Sequence, residues 1–178
     1  MYIPQKVIDN SKMTLASFLS EVLKSSKDTN LDIATAFFNI KAYELIKEEI
    51  NGLKHFRLLL GKSPELNEKI TLGERLLNDI KEEIEVFDLE KSQNELVRDL
   101  INFLKKKNVE IRIYTKDFLH GKAYIFDNLV VVGSSNFTRA GLTSNTELNI
   151  VSLEAEAEYI RKRWFDKFWE QASDFKEE

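Results

Sequence analysis

Apolar residues recur at helical spacing from Thr14 to Lys24, with Leu15, Phe18, Leu19, Val22 and Leu23 on one face. The run Leu31-Asp32-Ile33-Ala34-Thr35-Ala36-Phe37 then predicts a buried strand. A helix follows over about Ala42 to Ile50 and ends near Gly52. His55 to Leu60 is a second short apolar run, stopped by Gly61 and Pro64. Helix, strand, helix, strand in this order favours parallel pairing through a crossover.

Two long charged stretches come next, roughly Glu68 to Val86 and Gln93 to Lys107. The first repeats Leu72, Leu76, Ile80 and Ile84 at every fourth residue and reads as an amphipathic cover helix. Lys105, Lys106 and Lys107 close the second, where cations suit the helix dipole. From Val109 the pattern turns to strands: Val109 to Tyr114, His120 to Phe126, Leu129 to Val132 and Glu147 to Ser152. Asp127-Asn128 joins two of these as a hairpin turn. Glu154 to Ala172 predicts a closing amphipathic helix with core aromatics Tyr159, Trp164, Phe165, Phe168 and Trp169. Together these elements predict an α/β fold, a mixed and largely parallel sheet flanked by helices on both faces. No internal repeat or linker divides it, so residues 1–178 are expected to form a single domain.

Composition changes this picture in four ways. Hydrophobic residues at 43% and charged residues at 31% mark a globular chain rather than a disordered one. There is no apolar run near the length of a membrane span and no signal-peptide layout, so no membrane partner and a cytoplasmic location are expected. Cysteine is absent, which excludes disulfides and thiolate metal sites. The net charge of −4 argues against generic coating of nucleic acid, which is driven by phosphate neutralisation. Any contact with nucleic acid must therefore use basic groups concentrated in one place.

Candidate chemistry gathers in one stretch. On a strand, His120 and Lys122 point the same way, and Asp127 falls on the opposite parity or in the turn. The hairpin returns through Val130-Val131-Val132 into the small-residue loop Gly133-Ser134-Ser135-Asn136, bringing it back towards His120. An imidazole, a fixed cation, and the amide and hydroxyl donors of Asn136 and Ser134 would converge there. That set suits a phosphate diester, with donors for the non-bridging oxygens and an imidazole for attack or proton transfer. Singly, each residue has an ordinary explanation as a polar strand or turn residue. Their joint spacing is what points to a site.

His120-x-Lys122-x4-Asp127 followed by Gly133-Ser134-x-Asn136 resembles the signature of the phospholipase D superfamily. The likeness continues through Phe137-Thr138-Arg139-Ala140-Gly141-Leu142, with Glu147 where such proteins place a downstream acid. More loosely, Asp9-Asn10 through Phe38 is similar to the phospholipase D-like domain of bacterial superfamily 2 helicases and of metal-independent restriction endonucleases. The chain would then be such a domain alone, or the N-terminal part of a larger helicase or restriction protein. The resemblance implies a phospholipase D-like fold and a mechanism without cofactor. One histidine attacks phosphorus to give a phosphohistidine, and a second protonates the leaving oxygen. Carried over, His120 is nucleophile or acid, Lys122, Asn136 and Ser134 hold phosphoryl oxygens, and Glu147 orients His120. Asp127, Gly133 and Ser135 are structural support. Arg139 and Lys116 are candidates for lining a backbone groove. The gap from Asp127 to Gly133 holds five residues where many members have six, which a shorter hairpin tip absorbs.

His55 has no lysine two residues on and no Gly-Ser-x-Asn loop, so the chain carries one signature where the mechanism needs two. A symmetric homodimer with two facing His120 side chains is the expected solution. Two functional classes follow: a phosphodiesterase acting on nucleic acid, DNA first, or a phosphate-binding module of a helicase or restriction system. Lipid hydrolysis is not expected, for want of a basic amphipathic membrane helix. A metal-dependent nuclease is not expected either: there is no Glu-x-Lys triplet, and the triplets Asp79 with Lys81 and Asp174 with Lys176 read as helical.

Overall fold

A computed structural model describes residues 3, 5–26, 28–61 and 90–175, with side chains left aside at 90–94. The helix expected over Glu68 to Val86 and the Asp79–Lys81 triplet lie outside these residues. Strand β1 (Val7–Ile8) leads to α1 (Leu15–Ser25), whose cap Thr14 accepts a hydrogen bond from the backbone N–H of Ser17. Then come β2 (Asn30–Thr35), α2 (Ile40–Ile50), β3 (His55–Gly61), α3 (Glu90–Leu104) and β4 (Val109–Tyr114). The hairpin β5 (Lys122–Phe126) and β6 (Leu129–Gly133) turns at Asp127-Asn128 and leads to α4 (Arg139–Thr143) and β7 (Asn149–Leu153). The closing helical stretch comprises α5 (Ala155–Tyr159), a π-helical segment (Ile160–Phe165) and α6 (Asp166–Gln171), before β8 (Ser173–Asp174).

These strands form one sheet in the order β1-β7-β6-β5-β2-β3-β4-β8. The sheet is mixed, as expected, but it is not largely parallel. Among the described strands β2·β3 and β3·β4 pair in parallel, and the other five neighbouring pairs are antiparallel. Helical crossovers accompany parallel pairing only as far as β4. The two-residue turn after Phe126 can return the chain only as an antiparallel neighbour.

Helices cover both faces. On one, α1, α2 and α3 pack Phe18, Leu19, Tyr43, Ile46 and Phe103 against Leu31, Ile33, Leu58 and Tyr124. On the other, Phe165, Trp169 and Ala157 pack against Ala34, Leu59, Ala123, Ile125 and Val130. The π-helical segment carries extra residues per turn and shifts the face between α5 and α6. Phe165 and Trp169 are buried, whereas Tyr159, expected in the core, is exposed. Asp174 sits in β8 rather than in a helix.

An ion cluster ties the closing helices to the sheet. Asp32, buried in β2, accepts 2.7 Å bonds from Nε and Nη2 of Arg57 and a 2.8 Å bond from Nε of Arg161. Arg57 also meets Asp166 at 2.9 Å and lies over the rings of Phe165 and Trp169. Such a charge is tolerable in a core because each carboxylate oxygen has a guanidinium partner.

Candidate active site

The catalytic candidates lie at one end of the sheet, where β2 and β3 finish, β5 and β7 begin and β6 ends. After β4 the chain passes the end of β3, so closely that a Cβ on Gly61 would come within 2.6 Å of the Leu119 carbonyl oxygen. Leu119 is buried in the core under the closing helices, and Gly121 abuts Trp164, whose ring a Cβ there would meet at 2.5 Å. His120 is held between these two anchors, and it is exposed. It precedes β5, which begins at Lys122 rather than at His120 as expected.

Lys122 is buried, 4% exposed, and its Nζ donates a 2.8 Å hydrogen bond to the His120 carbonyl. Burial pushes its pKa down, opposed by the negative charge of Glu147. The side chain therefore places an ammonium against the main chain of the histidine. The His120 ring meets the exposed ring of Phe118, centroid to centroid at 5.2 Å.

On the returning loop, a Cβ on Gly133 would lie 2.3 Å from both Asn149 Oδ1 and the Leu148 carbonyl, which explains the glycine. Ser134 Oγ donates to Glu147 Oε2 and accepts a 3.0 Å bond from the Leu148 N–H. Asn145 Nδ2 donates to the other Glu147 oxygen at 3.3 Å. Glu147 is thus held by Ser134 and Asn145, and among the described residues no hydrogen bond joins it to His120. Ser135 is fully buried: its backbone N–H donates to Asn149 Oδ1 at 3.3 Å, its hydroxyl accepts from Asn149 Nδ2 at 2.9 Å, and its carbonyl accepts from Tyr124 at 3.0 Å. Burial raises the Tyr124 pKa well above the ordinary value, and Glu147 adds to this, so the phenol remains a donor.

Half-buried Asn136 accepts through Oδ1 from the Thr35 hydroxyl at 3.2 Å, which leaves its NH2 group to donate elsewhere. Thr35 also accepts from the Phe137 N–H at 3.0 Å. The structure thus gathers His120, Lys122, Ser134, Asn136 and Glu147 at one sheet end. Asp127 lies at the opposite end of β5, bonded to Thr29, to Asn30 and to Arg161. Arg139 and Lys116 are exposed nearby; Arg139 stands 4.0 Å from Glu44, and no hydrogen bond draws either onto His120. Thr35 and Asn149 were not singled out in the sequence, although each is a polar interruption of an apolar strand. Among the described residues there is no group of three or more His, Asp or Glu side chains arranged to hold a metal, and no helix is long and apolar enough to cross a membrane.

The family model described as "Cardiolipin synthase, PLD-like domain" matches residues 19–169. Among solved structures, Nuc from Salmonella typhimurium, a phospholipase D family member, superposes with a TM-score of 0.56 at 19% identity, covering 95% of each chain. NucT from Helicobacter pylori gives 0.56 at 16% identity over 90% of each chain. The archaeal chromatin protein TrmBL2 gives 0.53 at 16% identity, over 97% of this chain and 55% of that one. No curated protein matches. These likenesses share the fold, and the family match covers most of the chain, including every residue of the candidate site. The chain belongs to the phospholipase D superfamily.

Proposed function

We propose that this protein is a metal-independent phosphodiesterase, a nuclease acting on DNA through a phosphohistidine in a homodimeric site. The observation that carries this reading is the buried ammonium of Lys122 bonded to the carbonyl of exposed His120. A lysine kept 4% exposed is costly unless its charge has a use, and an incoming phosphodiester would supply the anion. In the proposed reaction an imidazole nitrogen of one His120 attacks phosphorus while the bond to the leaving oxygen breaks. His120 of a second copy gives that oxygen its proton. Water then attacks the phosphohistidine, surrendering a proton to the second imidazole and freeing the first. Lys122 and Asn136 hold the non-bridging oxygens throughout, Ser134 joins them when it turns its one proton from Glu147 to the substrate, and Glu147 balances the charge of Lys122. Asp127, Gly133 and Ser135 hold the scaffold.

A second reading, a DNA-binding module with little or no turnover, is favoured by the shared fold of TrmBL2, a chromatin protein whose structure is described as showing a novel mode of DNA binding. The family description instead names a phospholipid enzyme, so lipid diesters belong in the same assay. The test is cleavage of DNA, bis(p-nitrophenyl) phosphate and phosphatidylglycerol vesicles in EDTA, by wild type and His120→Ala. Cleavage of DNA that His120→Ala abolishes is expected. Equal inertness with retained DNA binding would favour the module, and cleavage of lipid alone would overturn the nuclease.

A further inference from the structure

Among the described residues only two phenylalanines are exposed, Phe37 at 38% and Phe118 at 44%. Both stand at the sheet end that carries the candidate site. Phe118 lies two residues before His120, and the two rings meet with centroids 5.2 Å apart and planes at 39°. Phe37 lies two residues beyond Thr35, whose hydroxyl bonds Asn136, and the parallel bridge of Phe38 with Phe137 sets Phe37 beside Asn136. A single exposed apolar side chain needs no explanation, but two phenyl rings at one phosphate site do. A cation accompanies each ring. Exposed Lys116 precedes Phe118 by two positions. Exposed Arg139, 4.0 Å from Glu44, donates its backbone N–H at 3.1 Å to the Oδ1 of Asn39, two residues after Phe37.

We infer that Phe118 and Phe37 are stacking subsites for unpaired nucleobases next to the phosphate under attack, which makes single-stranded nucleic acid the substrate. The inference rests on the nucleic-acid reading above and names the form of polymer the site takes. A single strand is held by an aromatic face for a base and a cation for the neighbouring backbone phosphate, and both are present twice. In a duplex each base is covered on both faces by its neighbours, so neither ring could stack on one without flipping it out. An acyl chain suits this surface less well. It would need a continuous apolar track, whereas Phe118 follows the exposed polar run Thr115-Lys116-Asp117. The exposed aliphatics Val132, Ile150 and Val7 cannot supply that track. Lys122 pairs with Gly133 and Ala123 with Val132, so their row lies with Ala123 on the closing-helix face, opposite the one Lys122 faces.

The test follows cleavage in EDTA, and binding by fluorescence anisotropy, for wild type, Phe118→Leu, Phe118→Trp and Phe37→Leu. The probes are single-stranded oligothymidylate, an abasic deoxyribose-phosphate strand of the same length, a thymidine–adenine duplex and phosphatidylglycerol vesicles. Wild type should favour the base-bearing strand over the abasic one by roughly a hundredfold in kcat/KM, about tenfold for each stack, and over the duplex by roughly tenfold or more. Each leucine variant should lose about tenfold of the preference for bases, and Phe118→Trp should keep it. Equal handling of the abasic strand by wild type would overturn the subsites and leave the nuclease standing. Equal losses on both strands in Phe118→Leu would also overturn them, making Phe118 a prop for the imidazole. Base-dependent binding without cleavage would uphold the subsites and overturn the nuclease. Cleavage of vesicles, with neither cleavage nor binding of any strand, would overturn the nucleic-acid reading and the subsites with it.

Discussion

The Thr35 hydroxyl stands 3.2 Å from the Asn136 amide oxygen, a bond between residues 101 positions apart. Its single proton is shared with the Phe37 carbonyl at 2.8 Å, while its oxygen accepts from the Phe137 N–H. The end of β2 therefore sets which way the Asn136 amide faces.

Replacing Thr35 with valine keeps the shape and removes the hydroxyl. The buried Phe137 N–H then loses its acceptor, at a cost of about 1–3 kcal/mol in stability. Because Asn136 also loses its orientation, kcat should fall about tenfold with KM changed much less. Thr35→Ser should recover most of both. Steady-state kinetics and urea titration of the two variants check this; a valine variant with wild-type kcat would dismiss Thr35 as a positioning residue.

Lys122 should be needed as a cation. Lys122→Met keeps the length of the side chain and should lower kcat by roughly 100-fold or more, the scale for losing one preorganised charge donor. Since the buried ammonium is itself unfavourable, the melting temperature should not fall. Its pKa is pushed below the ordinary 10.5 by burial, so activity in wild type should decline on the alkaline side below that pH as the ammonium loses its proton. A pH–rate profile flat beyond pH 10.5 would exclude the role.

Asp127 makes a prediction about stability and acid. Burial raises its pKa, but hydrogen bonds from the Asn30 backbone and side chain and from Thr29, with the charge of Arg161, outweigh this, and the net shift is downward from 3.8. A depressed carboxylate contributes stability above its unfolded value and loses it as pH falls through the folded value. Wild type should therefore lose stability as pH drops below about 4. Asp127→Asn should be less stable at neutral pH and show a shallower acid decline. Urea midpoints at pH 3, 4, 5 and 7 measure both; parallel curves for the two proteins would refute the linkage.

Much of the site could be read from spacing, because His120, Lys122, Gly133, Ser134 and Asn136 are local to one hairpin. What spacing could not supply was direction and distance. Leu31 to Ala36 is buried on both faces, which suits parallel and antiparallel neighbours alike, so the antiparallel pairing of β2 with β5 leaves no trace in the run. The partners of Asp32 cannot be read from the run around it, because Arg57 and Arg161 arrive from 25 and 129 residues away. Thr35 and Asn149 were hidden for the same reason. Tyr159 was misplaced because a regular helical wheel does not contain the wider π-helical segment that follows it. Glu147 could be located but not its partners: an acid near a histidine suggests a pair, while the folded chain offers it Ser134 and Asn145 first.

The outermost strands, β1 and β8, are each two residues long and lie at opposite rims of the sheet. So short a rim is a poor template for a neighbour's backbone, which protects the sheet against open-ended growth into fibres. Association through the rims is therefore discouraged. In a crowded solution the molecule would thus be steered away from a polymer.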